Sequence, residues 1–190
     1  MLYPQGKKQA KKESGIAADA KVVLFLAHGG QNAAYKAGNN WISVWKQIEN
    51  FPEVLCMMAG GDTTEQYGRL LILPYLDRTK LSLVLSAADI LVYPSLGDNH
   101  PLVVLEALSA KTPVVAFAEG GIIEQIQHGQ TGLITKPGDW NSLTAHCKSL
   151  LRSTHQLKTM GKNARSIWKS SFTAEQMVLE YRNLFEVTDE

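Results

Sequence analysis

Residues 93–121 read YPSLGDNHPLVVLEALSAKTPVVAFAEGG. The order within the stretch is a strand end, a polar loop, an apolar helix (PLVVLEALSA), a second strand (PVVAF) and a glycine turn. Asn99 or Asp98 can cap the helix, and Pro101 fits its first turn because it has no amide hydrogen to leave unpaired. The amides of Leu102, Val103 and Val104 then point out of the helix end as an anion site. Glu106 lies one turn beyond Leu102 on the same face, and Asp98 stands at the mouth. Such a mouth suits a nucleotide diphosphate sugar, with amides on the diphosphate and carboxylates accepting from hydroxyls. Spacing alone fits a capped helix with a surface carboxylate at least as well.

The same alternation extends in both directions. KVVLFLA and EVLCMMA read as strands around a helix in NNWISVWKQIEN, and RLLILPYL as a short strand before the helix TKLSLVLSAAD. DILVYPS and PVVAF flank the opening stretch, and IIEQIQHG reads as a helix before the strand GLIT. Three helices follow from Trp140 to about Val187, the second starting near Thr154 and the third near Thr173. Strands rich in Val, Ile and Leu without clean alternation are buried on both faces. The fold class is therefore α/β, a doubly wound Rossmann-like parallel sheet of about six strands with helices on both faces. Residues 1–20 lack periodicity and read as a linker with solvated lysines, and residues 21–190 as the folded domain.

Composition narrows the function. With 45% hydrophobic residues, 19% charged residues and a net charge of +1, the chain has the profile of a globular protein and no basic footprint for nucleic acid. Cys56 and Cys147 lie far apart, and Cys56 sits in an apolar run, which fits reduced thiols in a cytoplasmic protein. No apolar run reaches the length of a membrane span.

In a doubly wound sheet, ligands meet the loops at the carboxyl ends of the strands. The first such loop carries Gly29, Gly30 and one lysine, Lys36, which can approach phosphate or simply turn the chain. It contains neither G-x-G-x-x-G nor G-x-x-x-x-G-K-[ST]. Gly120 and Gly121 open a further helix and offer a second set of amides beside the first, or only a turn.

Taken together, AADILVYPSLGDNHPLVVLEALSAKTPVVAFAEGGIIEQIQHGQTGLITKPGD, residues 87–139, resembles the retaining glycosyltransferases of family 4. The likeness is to the C-terminal, nucleotide-sugar-binding half of their GT-B fold, and it runs from about Lys21 to the last helix. The shared pattern is A-A-D into a strand, P-S, a Glu-x7-Glu pair, E-A-x-A-x-G-x-P-V-V, G-G-I-P-E and G-x-T-G-x-L-V-x-P-G-D. The resemblance implies that Glu106 binds the ribose hydroxyls and that Asp98 contacts the donor sugar near the reaction centre. It implies that the backbone of Asn99, His100, Pro101, Leu102 and Val103 touches sugar and diphosphate. By the same resemblance Lys36, with Gly29 and Gly30, holds phosphate, Pro74, Tyr75 and Leu76 meet the base, and Gly120 and Gly121 line the donor.

The sequence departs from the pattern at four places. Asp98 is one methylene shorter than the usual Glu, His28 stands where an Arg is common, Lys111 replaces a glycine and Ile123 a proline. The resemblance implies transfer of a sugar from a nucleotide-sugar to an acceptor hydroxyl with retention, without a cofactor or metal. It also implies an N-terminal acceptor-binding domain for which 190 residues leave no room, with membrane contact only through the longer enzyme. Two other readings stay open: a sugar-nucleotide epimerase of GT-B-like fold, and a non-catalytic Rossmann-like interaction module.

Overall fold

The computed structural model describes residues 4–26 and 38–186. In chain order the elements are α1 (Lys7–Glu13), β1 (Lys21–Leu26), α2 (Gly38–Ile48), β2 (Val54–Gly61), β3 (Glu65–Tyr67), β4 (Leu70–Pro74), α3 (Arg78–Ala87) and β5 (Ile90–Tyr93). They continue with α4 (Leu102–Ser109), β6 (Val114–Phe117), α5 (Ile122–Gln125), β7 (Gly132–Thr135), α6 (Trp140–Arg152), α7 (Thr154–Ser171) and α8 (Ala174–Glu186).

One sheet holds all the strands in the order β3-β4-β2-β1-β5-β6-β7. Every pairing is parallel except β3 with β4. The six parallel strands thus form the doubly wound order, and β3 is an antiparallel addition at the edge inside what the sequence presents as a loop. Its residues Glu65, Gln66 and Tyr67 are all exposed, so no apolar pattern marks it.

Alternate residues of β1 feed two cores. Val23 and Phe25 pack with Trp41, Ile48, Cys56 and Leu143 on one face. Val22 and Leu24 pack with Met57, Leu85, Leu91 and Leu108 on the other. Burying each of these side chains stabilises the fold by roughly 2 kcal/mol, which explains the unbroken apolar strands. Phe25 stacks on Trp41 with ring centroids 5.5 Å apart. Both cysteines are buried and free, and burial pushes their thiols up, Cys147 to about 12.

The first twenty residues contain a helix the sequence does not announce, and two of its lysines are tied to the sheet by ion pairs instead of standing free in solvent. Lys7 Nζ lies 3.0 Å from Asp89 Oδ1 and Lys11 Nζ 2.9 Å from Asp89 Oδ2. Lys11 also donates to the carbonyl of Ala20 at 2.6 Å, and the amide of Val22 to Asp89 Oδ2 at 2.9 Å. These bonds strap α1 across the amino ends of β1 and β5.

Helix α4 closes with paired bonds, from the Lys111 amide to Leu108 O at 3.1 Å and from the Thr112 amide to Ala107 O at 2.9 Å. That closure needs a left-handed residue, normally glycine. Here Lys111 occupies it at φ 64°, at a cost of roughly 1 kcal/mol for a residue with a β-carbon. The helix expected over IIEQIQHG shrinks to the single turn of α5, after which His128 bridges to Gly132.

Candidate functional site

The side on which successive strands are added switches between the parallel neighbours β1 and β5: β1 leads to β2 and β4 on one side, and β5 to β6 and β7 on the other. At such a switch point the loops from the two neighbouring strands diverge and leave a crevice at their carboxyl ends. The loop after β5, residues 94–101, forms one bank. The loop after β1 carries His28, Gly29, Gly30 and Lys36, which lie outside the described residues.

Neither capping expectation for α4 holds. Pro101 occupies the N-cap position and the helix has no side-chain cap. Asp98 is engaged elsewhere: Oδ2 accepts the hydroxyl of Tyr93 at 2.6 Å, and Tyr93 is buried at the end of β5. A buried phenol needs a partner, and the carboxylate just beyond its own strand supplies one. The Val104 amide, expected to be open, donates to Pro101 O at 3.2 Å, so without a side-chain cap the amides of Leu102 and Val103 remain directed out of the N-terminus of α4.

The loop before α4 is held by the turn after β6. Gly121 donates its amide to Asn99 O at 2.8 Å, and Gln125 Nε2 donates to Pro101 O at 3.3 Å. A β-carbon on Gly120 would lie 2.2 Å from Asp98 O, and one on Gly121 2.2 Å from Asn99 O. The glycine pair therefore lets two backbones touch. The expectation of a second helix mouth fails for the same reason. Gly121 donates to Asn99, Ile122 donates to Glu119 O at 3.1 Å, and α5 is a single turn.

Glu106 sits half-buried one turn inside α4. Burial pushes its carboxyl up, and the positive charge of Arg78 at the start of α3 opposes that shift. Its carboxylate oxygens accept no hydrogen bond from another described residue. Arg78 follows directly on residues 74–77, where Asp77 caps α3 by accepting the Lys80 amide at 2.8 Å and the Tyr75 amide donates to Gly61 O at 3.0 Å. The segment holding Pro74, Tyr75 and Leu76 is thus tied to the same edge of the sheet, and the Tyr75 ring is exposed.

The structure brings Asp98, Asn99 and His100 against Gly120 and Gly121, Pro101 against Gln125, and Glu106 within electrostatic reach of Arg78. Sequence reasoning missed Tyr93, Arg78 and Gln125. Tyr93 opens the deciding stretch, yet only its strand-end position next to a loop carboxylate hints at the bond. Arg78 and Gln125 carry no local signal. Among the described residues no three His, Cys, Asp or Glu side chains converge to hold a metal ion, and no helix is long and apolar enough to cross a membrane.

Comparison with known proteins agrees with this geometry. The N-acetyl-alpha-D-glucosaminyl L-malate synthase of Bacillus anthracis is 30% identical over 185 residues, which cover 93% of this chain and 48% of that protein. The chain thus spans about half the length of this curated relative. The structure of sucrose-phosphate synthase from Thermosynechococcus elongatus superposes with a TM-score of 0.82 at 26% identity, over 98% of this chain and 50% of that one. Anabaena HepE in complex with UDP-glucose superposes with a TM-score of 0.80 at 19% identity, over 98% and 54%. The sheet and its helices are those of one Rossmann-like half of a GT-B fold. Because the sequence model described as "Glycosyl transferases group 1" also matches residues 6–167, the chain belongs to that glycosyltransferase family.

Proposed function

We propose that this chain is the donor-binding half of a retaining glycosyltransferase that moves a sugar from a nucleotide-sugar to an acceptor hydroxyl. One observation carries the reading. Glu106 is a half-buried carboxylate, raised by burial and without a hydrogen bond from the described residues, beside the uncapped N-terminus of α4. A half-buried carboxylate that accepts from no neighbouring side chain among the described residues is free to accept from a ligand. The two hydroxyls of a ribose fit that role, while the first amides of α4 meet the diphosphate. The UDP-glucose in the HepE complex supports a nucleotide-sugar as the ligand class.

In the transfer, the bond from the anomeric carbon to the diphosphate breaks and its electron pair leaves on the diphosphate. The acceptor oxygen bonds to that carbon from the same face, and its proton passes to the departing phosphate. The amides of Leu102 and Val103 stabilise the charge that grows on the leaving group. Asp98, aimed by Tyr93, accepts a hydroxyl of the sugar.

The acceptor site belongs to a second domain of a longer protein. α8 supports this: Met177, Val178, Tyr181, Leu184 and Phe185 are exposed along it, a face suited to packing on such a domain. In the longer protein, Glu106→Ala lowers kcat/KM for transfer by about 100-fold. Unchanged transfer would sink the proposal, and so would isomerised donor in the absence of acceptor, which marks an epimerase.

A further inference from the structure

At the opposite edge of the sheet, a cleft of about 550 Å³ lies between the C-terminus of α4, one face of α7 and the arm Pro4, Gln5 and Gly6. Lys111, Lys162, Arg165 and Lys169 line it, and no carboxylate among the described residues does. The three from α7 recur at helical spacing, so they stand on one face of that helix. The whole chain has a net charge of only +1, yet four basic side chains share this one concavity. None of them forms an ion pair among the described residues. Like charges gathered in a cleft repel one another and focus a positive potential into it.

The walls are fixed. α7 abuts the end of α4 so closely that a β-carbon on Gly161 would lie 2.4 Å from Lys111 O. The Arg165 guanidinium donates to Ser109 O at 2.6 Å and lies 4.5 Å from the centroid of the Trp168 ring. That holds its planar fork in one orientation with other donors left over. Lys111 reaches the cleft from a left-handed backbone position that disfavours any side chain. A fold that keeps a lysine there, beside three more cations and away from carboxylates, is built to meet an anion.

We propose that this cleft is a second ligand site, for a phosphate-bearing anion of more than one negative charge, either a small phosphorylated molecule or the headgroup of an anionic lipid. It lies at the amino ends of the strands, whereas the candidate donor loops lie at the carboxyl ends, so the two sites are spatially separate. The α4 N-terminus also attracts anions, so binding must be read site by site.

The test titrates pyrophosphate into the chain and follows backbone amides by NMR, with a parallel co-sedimentation on phosphatidylcholine vesicles with and without phosphatidylglycerol. Pyrophosphate shifts amides at 110–111 and 162–169, and Lys162→Ala with Lys169→Ala weakens that binding about tenfold. Lys111→Gly weakens it as well while raising the melting temperature, which separates loss of a ligand contact from loss of fold. Sedimentation only with phosphatidylglycerol, abolished by the same variants, supports the proposal with a lipid headgroup as the source. The proposal is overturned if neither probe binds, if the variants bind as the wild type does, or if pyrophosphate shifts only residues 98–106.

Discussion

Gly121 illustrates how a residue without a side chain can shape a site. Its amide holds Asn99 O, and a β-carbon would sit 2.2 Å from that same oxygen, against backbone that has no rotamer to yield. Gly121→Ala therefore displaces the loop that starts α4. We expect it to destabilise the chain by about 2 kcal/mol, read as a lower urea midpoint, and to weaken nucleotide-sugar binding; wild-type values of both would show that the contact is dispensable. Glu106 gives a prediction in pH. Its carboxyl is raised in the folded chain by burial, so as pH rises the unfolded chain loses this proton first. The stability of the protonated form is complete below the unfolded carboxylate range and is lost as pH rises through the folded value. Glu106→Gln should thus melt above wild type near about pH 7 and level with it near about pH 4. A parallel offset at both would place the effect outside titration.

At the scale of elements, the strap between α1 and the sheet rests on one carboxylate. Burial raises Asp89, but Lys7, Lys11 and the Val22 amide outweigh that effect and hold it below the ordinary carboxylate range. Its contribution is present above the unfolded pKa and lost as pH falls through the folded one. Asp89→Asn leaves Lys11, 5% exposed, without its counter-charge, and should cost about 3 kcal/mol at neutral pH. The acid limb of its stability curve should be flatter than that of wild type, and an unchanged limb would mean that Asp89 does not titrate with folding. This strap was illegible in the sequence because KKQAKKE has no apolar stripe; its order comes from Asp89, some eighty positions away. The strand β3 escaped for a similar reason, being all polar and exposed. The parallel strands and α4 were legible because burial on two faces writes unbroken Val, Ile and Leu runs. Of the candidate site, Glu106 is singled out by its place in the family-like pattern, because its spacing alone fits a surface carboxylate as well. The clasp of Tyr93 on Asp98 and the contact of the glycine turn with residues 98–99 are tertiary, and spacing carries no trace of them.

For the molecule as a whole, topology explains the division of labour. The switch between β1 and β5 lies at one edge of the sheet, and α1, the C-terminus of α4, one face of α7 and the basic cleft lie toward the other. The exposed apolar residues of α8 fit a chain that covers about half of its curated relative. On the proposed function, the carboxyl edge holds a nucleotide-sugar through Glu106 and the start of α4. The direct measurement is a titration of the folded chain with UDP-, GDP- and ADP-sugars, following backbone amides by NMR in the wild type and in Glu106→Ala. The account predicts that at least one donor shifts amides at 99–106 and that Glu106→Ala removes most of that response while its unliganded spectrum stays folded. No shift with any donor, or an undiminished response in the variant, would contradict it.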